Sequence, residues 1–222
     1  MRVNFGKLTE MQKSTARQVS TEDAIKPENI RYIAGFDVAY LENKAVCAAI
    51  VVDFKTLEVV ERKHCVVKSP MNYVPGFLAF REGPPIMQAY FDLEHEPDVL
   101  LIDGHGIAHP LKCGLATFVG VELEKPTIGI AKKRLVGEEQ GEKLLVEGEQ
   151  RACLLRTRAH AKPIYVSPGY KVSVETATEI VKHCIVPPHK MPEPLHLAHR
   201  HAAKILERLR NPEKEEKEKA EN

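Results

Sequence analysis

Asp37 and Asp103 each stand where an apolar run suited to a strand comes to its end. Ala34-Gly35-Phe36-Asp37 closes one run and Val99-Leu100-Leu101-Ile102-Asp103 another, and the carboxyl ends of strands are where ligands gather in α/β sheets. If those strands are parallel neighbours, the two carboxylates lie side by side. Without basic partners they repel, and a shared divalent cation is the simplest way to keep both ionised. Glu82 is a candidate third acid. Such a centre suits phosphodiester hydrolysis, because a metal pair can activate the attacking water and stabilise the leaving oxygen in line. Residue chemistry alone leaves an alternative open, since a strand-terminal Asp is commonly a turn former or a helix cap.

Carboxylates used in this way need a sheet that brings positions 37 and 103 together, and the hydrophobic pattern supplies its elements. An amphipathic opening (Leu8, Met11, Ala16, Val19) predicts a helix, which Lys26-Pro27 closes off before the first strand. Three strand-like runs follow at 30–40, 44–54 and 57–68, joined by short polar turns that predict an antiparallel meander. Residues 76–93 have helical spacing, but Gly83-Pro84-Pro85 is expected to break or kink that helix. A buried strand at 98–103 comes next, then a helix at 114–124, strands at 126–131, 144–146, 152–156 and 163–167, and closing helices near 173–184 and 194–209. Ser173 is the expected N-cap of the first closing helix. The order predicts an α/β, ribonuclease H-like mixed sheet, an antiparallel three-strand meander followed by parallel strands, with flanking helices.

Longer strings around the acids are more specific than the acids themselves. They are Tyr73-Val74-Pro75-Gly76-Phe77-Leu78-Ala79-Phe80-Arg81-Glu82, Asp103-Gly104-His105-Gly106-Ile107-Ala108-His109-Pro110 and Gly129-Ile130-Ala131-Lys132, with Gly35-Phe36-Asp37 and Tyr165-Val166-Ser167-Pro168-Gly169 beside them. Over roughly residues 5 to 208 the chain resembles the endonuclease V family. The resemblance implies a deoxyinosine 3′ endonuclease of DNA repair. Such an enzyme hydrolyses the second phosphodiester 3′ to inosine and leaves 3′-hydroxyl and 5′-phosphate ends; members vary in activity on inosine-containing RNA.

Carried over by position, the resemblance makes Asp37, Glu82 and Asp103 ligands of Mg²⁺, with Mn²⁺ able to substitute. It sets Lys132 near the scissile phosphate and His109 close to metal or phosphate, and makes Tyr73 and Pro75 the loop that enters the duplex. Gly76, Leu78, Gly104, Gly114 and Leu115 fall where a base pocket is expected. Glycine there lets backbone amides approach a flipped base. Hypoxanthine lacks the exocyclic amino group of guanine, so a tight pocket with no space for that group selects inosine. The segment Pro192-Glu193-Pro194-Leu195-His196-Leu197-Ala198-His199-Arg200 resembles a family segment that often carries an acid where this chain has His199. His199 is therefore a candidate ligand for metal or phosphate in place of a fourth carboxylate. The connection at 136–144 is short for the family.

Composition excludes several other classes. With 43% hydrophobic and 28% charged residues the chain is not intrinsically disordered. Its longest apolar run, 45–52, is too short to span a bilayer, no signal peptide opens it, and no phosphate-binding G-x-x-x-x-G-K-[ST] loop occurs. Five scattered cysteines form no C-x-x-C pair and predict neither a disulfide framework nor zinc. A cytoplasmic monomer is expected.

The net charge is +1. The stretch 212–222 holds five Glu and three Lys, so residues 1–211 carry +3. Domain 1–211 is expected to be one ribonuclease H-like unit and 212–222 a disordered charged tail. Basic clusters at Lys132, Lys133 and Arg134, at Arg151, Arg156, Arg158 and Lys162, and along 189–210 suit a phosphodiester partner. Two alternatives remain at this point: a nucleic-acid-binding module without catalysis, and a structure-specific nuclease of junction-resolvase type.

Overall fold

The computed structural model describes residues 3–211; the expected charged tail lies outside the described residues. In chain order the elements are α1 (Phe5–Ala16), a 3₁₀ turn (Pro27–Asn29), β1 (Tyr32–Leu41), β2 (Lys44–Asp53), β3 (Val59–Lys68), α2 (Leu78–Phe91), β4 (Val99–Asp103), α3 (Leu115–Leu123), β5 (Thr127–Ala131), β6 (Glu138–Gln140), β7 (Lys143–Val146), β8 (Glu149–Leu155), β9 (Ile164–Tyr170), α4 (Val174–His183) and α5 (Glu193–Arg210). Among the described residues the nine strands form one mixed sheet in the order β3-β2-β1-β4-β5-β9-β8-β7-β6. No helix of the described residues is long and apolar enough to cross a membrane.

The meander is as expected. The β2–β3 turn is tied by the Asp53 carboxylate, which accepts from the backbone amides of Lys55 (3.0 Å) and Thr56 (2.9 Å). Strand β2 is buried on both faces, whereas β3 alternates half-buried and exposed positions as an edge strand does. The parallel ladder β1–β4 aligns Phe36 with Ile102, and β5 lies parallel beside β4. Beyond β5 the expectation of parallel strands fails. Strand β9 returns antiparallel to β5, and β8, β7 and β6 continue an antiparallel ladder. Strand β6 has no sequence signature because Glu138, Glu139 and Gln140 are all exposed, so no apolar alternation marks it.

Alternating side chains divide the core between the two sheet faces. Ile33, Leu101, Ile128 and Ile130 meet Ile180 and Val181 of α4 and Leu195, Ala198 and Ala202 of α5. On the other face Phe36, Leu100 and Ile102 meet Ile86 and Ala89 of α2 and Leu115 and Val119 of α3. The Ser173 hydroxyl caps α4 by accepting from the Thr176 amide at 3.1 Å, as expected.

Helix α2 runs unbroken through Pro84 and Pro85, against expectation. Pro85 has no N–H to give the Arg81 carbonyl one turn back, and the Tyr40 hydroxyl of β1 donates to that carbonyl at 3.4 Å instead. A donor from another strand thus serves an acceptor that the helix cannot.

Gly35 sets how closely α5 approaches β1. A Cβ there would lie 2.4 Å from the Pro194 carbonyl carbon. Gly35→Ala is expected to push α5 off the sheet and destabilise the fold by about 1–3 kcal/mol, lowering the melting temperature by roughly 2–12 °C. Calorimetry checks it, and an unchanged Tm would mean that α5 tolerates the displacement.

Candidate active site

The β1–β4 ladder carries Asp37 and Asp103 to the same level on adjacent strands. Asp37 is 9% exposed; burial, then the negative charge of Asp103, raises its pKa. His199 of α5 donates from Nδ1 to Asp37 Oδ2 at 2.9 Å. Lys132, just past β5, donates from Nζ to Asp103 Oδ2 at 2.7 Å. Burial opposes the Lys132 charge, but the Asp103 carboxylate outweighs it and holds that pKa above the ordinary value.

Glu82 reaches the same point from α2, on the opposite face of the sheet. Burial, then the charges of Asp37 and Asp103, push its pKa to about 8; the Arg81 guanidinium and the Tyr40 hydroxyl offset only part of this. Asp37 and Glu82, whose ionisation burial and neighbouring carboxylate charge oppose, form with Asp103 an oxygen donor set for a hard divalent cation. Among the described residues no group of three His, Cys, Asp or Glu side chains converges as it stands on one metal position. Asp37 and Asp103 instead hold His199 and Lys132. The donor chemistry fits a hard divalent cation.

The raised pKa of Glu82 has a stability consequence. The folded protein keeps this proton where the unfolded chain has lost it, so the contribution is full below about pH 4.5 and is lost as pH rises to about 8. In chelator, the melting temperature is expected to fall between about pH 5 and pH 8, and Glu82→Gln, neutral throughout, to flatten that slope. Calorimetry across pH checks it; equal slopes in the two proteins would assign the titration elsewhere.

A cavity of about 290 Å³ opens at His105, two residues past Asp103 in the chain. Of the residues expected to touch the base, Tyr73, Gly76, Leu78, Gly114 and Leu115 line it; Pro75 and Gly104 do not. Ala79, His105, His109, Cys113, Lys133, Arg134 and Leu135 complete the wall. Gly76 adopts φ +82°, a backbone that favours glycine. Its carbonyl accepts from buried Gln12 Nε2 at 2.7 Å and meets His109 Nε2 at 3.3 Å. The His109 Nδ1 accepts from the Leu111 amide at 3.2 Å, so the proton sits on Nε2 and is given to Gly76. Burial lowers the His109 pKa and keeps the ring neutral.

His109 stands in the cavity wall, and both its ring nitrogens meet backbone groups, so it pins the Gly76 loop. Buried Arg151 departs from the basic-cluster reading. It donates to the His109 carbonyl at 3.1 Å and pairs with Glu147 (2.9 Å) and Glu149 (3.1 Å), so its charge is spent inside the fold.

Tyr73 is 59% exposed, which excludes a core role for its ring. The Arg81 guanidinium lies 3.7 Å from the Tyr40 ring centroid and 5.8 Å from that of Tyr73. Arg81, Gln12 and His105 were missed by the sequence reading. Gln12 lies one turn after Leu8 on the packed side of α1, a helical spacing that could have flagged it. His105 follows Asp103 by two residues; burial pushes its pKa down to about 4, and its Nδ1 has no partner.

The family model for endonuclease V matches residues 13–200. The endonuclease V of Dictyoglomus thermophilum is 38% identical over 212 residues, 92% of this chain and 92% of its own. The crystal structure of the Bacillus subtilis endonuclease V superposes with a TM-score of 0.88 at 33% identity, covering 95% of each chain. That of the Ciona intestinalis endonuclease V, in complex with a 24-mer DNA containing an inosine followed by a ribo-adenosine, superposes with a TM-score of 0.85 at 28% identity, covering 92% of this chain and 98% of its own. Carboxylates on adjacent parallel strands, a neighbouring cavity and likeness over nearly the whole chain agree: this protein belongs to the endonuclease V family.

Proposed function

We propose that the protein is a metal-dependent endonuclease that recognises inosine in DNA, hydrolyses the second phosphodiester on its 3′ side and leaves 3′-hydroxyl and 5′-phosphate ends. The observation that carries this reading is the pair of aspartates at one level on adjacent parallel strands, with a cavity whose wall includes His105, two residues along the chain from Asp103. The inosine-containing DNA held by the Ciona relative supports the substrate class.

Leu78 and Ala79 open helix α2, and the first amides of a helix have no intrahelical acceptor. Both line the cavity, where they can donate to the ring acceptors of a flipped hypoxanthine. His109 and Gln12 fix the Gly76 carbonyl, so the floor of the pocket is set before the base enters. Exposed Tyr73 acts as the wedge left in the stack, with Pro75 stiffening its loop.

Asp37, Glu82 and Asp103 would hold Mg²⁺, with Mn²⁺ substituting and His199 at the Asp37 edge. Bound there, the cation neutralises charge developing on the phosphate during in-line displacement. Lys132 turns from Asp103 to a phosphate oxygen and stabilises the same charge.

We extend the proposal to inosine in RNA, because these contacts read the base and not the sugar, and to a monomer built on residues 1–211. The five unpaired cysteines fit the reducing cytoplasm. A panel of labelled duplexes carrying inosine, xanthosine, uracil or no lesion tests the reading. Preferential cutting of the inosine duplex is expected, and equal cutting of the unmodified one would overturn it.

A further inference from the structure

We infer that the strand 3′ of the cut leaves the carboxylate centre across α5 toward the β3 edge, where Arg62, Arg200, Lys204 and Arg208 hold its phosphates. The inference rests on the proposed cut 3′ of inosine. It starts from the lateral order of the sheet. The cavity lies at the ends of β4 and β5, through His105, Gly114 and Lys133, and the carboxylates lie on β4 and β1. Continuing in the same direction brings β2 and then the edge strand β3. A strand that holds its base in the cavity and its scissile bond at Asp37 and Asp103 therefore runs on toward β3.

The ladder makes this a measured row. Asp37 pairs with Ala48, and Ala48 with His64, so His64 stands about 10 Å from Asp37 across two strand spacings. Helix α5 packs over Ala48 between them. His199 and His201, two residues apart, project about 200° apart around that helix. His199 meets Asp37, and His201 Nε2 comes within 3.4 Å of His64 Nδ1 on the far flank. Arg200, Lys204 and Arg208 recur every four residues, and all three are exposed, as is Arg62 on β3. His64, Arg62, Arg208 and Lys204 all lie close enough to His201 for their positive charge to disfavour its own. Glu207 is the one acid of α5 after its first residue, so the four cations outnumber it. At about 3.4 Å of rise per nucleotide, 10 Å corresponds to about three phosphates beyond the cut, and the path over α5 lengthens it.

The bland alternative is a solvated helix face, and the two differ in salt dependence and in which flank matters. The test measures equilibrium affinity for inosine duplexes over a range of NaCl, with the wild-type protein and with R62Q/R200Q/K204Q/R208Q, each confirmed folded by its melting temperature. The variant is expected to bind roughly 10-fold or more weakly at low salt, with a log–log salt slope shallower by about 2 to 4. Arg→Lys at 62, 200 and 208 should retain the wild-type slope, since counterion release counts charge. The gap between wild type and the Gln variant should vanish on duplexes ending about two base pairs 3′ of the cut and persist when the 5′ flank is trimmed. An unchanged slope, an equal loss on the 3′-trimmed duplex, or failure of the Lys variant to rescue would overturn the inference. The nick position made by the wild-type protein on the same duplexes reports separately on the proposed function.

Discussion

Asp37→Ala and Asp103→Ala are each expected to slow cleavage of an inosine-containing strand by about 10³-fold or more, while affinity for the lesion falls only a few-fold. Asp37 is buried beside Asp103 and shares the unfavourable field that lifts Glu82, so its oxygens serve the charge in the centre and not the base cavity. Removal also unpairs a partner in each case. His199 loses its contact with Asp37, and Lys132 its contact with Asp103. Both partners are about half exposed or more, so water can take over those contacts. The fold should therefore survive; for Asp37, relief of carboxylate repulsion offsets part of the lost contact. Single-turnover rates at saturating enzyme check the first claim and anisotropy the second. Either variant cutting at near the wild-type rate in Mg²⁺ would remove that aspartate from the centre.

Tyr73→Ala is expected to weaken inosine binding by about 1–3 kcal/mol, the worth of one aromatic–base stack, or roughly 5- to 150-fold in Kd. The ring is mostly exposed and outside the core clusters, so the melting temperature should stay unchanged. Extracting a base costs a few kcal/mol of pairing and stacking, part of which a ring in the gap offsets. Tyr73→Phe should stay close to wild type because stacking does not need the hydroxyl. Inosine in a single strand or a mismatch should partly rescue the Ala variant, since less unpairing is left to do. A lowered Tm with equal losses on every substrate would instead make Tyr73 a structural residue.

Much of this site could be read from the chain because it rests on local features. Asp37 and Asp103 end apolar runs, and strand ends are visible as changes in hydrophobic pattern. What escaped depends on partners far away in sequence. Helix α2 survives Pro84 and Pro85 because Tyr40, 41 residues before Arg81, serves the freed carbonyl. Gln12 finds the Gly76 carbonyl across 64 residues. Arg151 counted toward a basic patch on composition, but burial against Glu147 and Glu149 cannot be seen in a charge count. The two ring contacts by which His109 anchors the Gly76 loop are likewise set by the fold and not by its motif. The antiparallel wing from β9 to β6 escaped because pairing direction is set by tertiary contacts, and the exposed polar β6 carries no period of two.

The proposal joins a carboxylate centre on β1 and β4 to a nearby cavity proposed to take the base. Mapping both ends of the nick in a duplex with a single inosine, in Mg²⁺ and in chelator, tests that junction most directly. The account predicts one nick, at the second phosphodiester 3′ of the inosine, with a 3′-hydroxyl and a 5′-phosphate, absent in chelator. A nick at any other bond, the same nick in the unmodified duplex, or cutting that persists without divalent cations would contradict it.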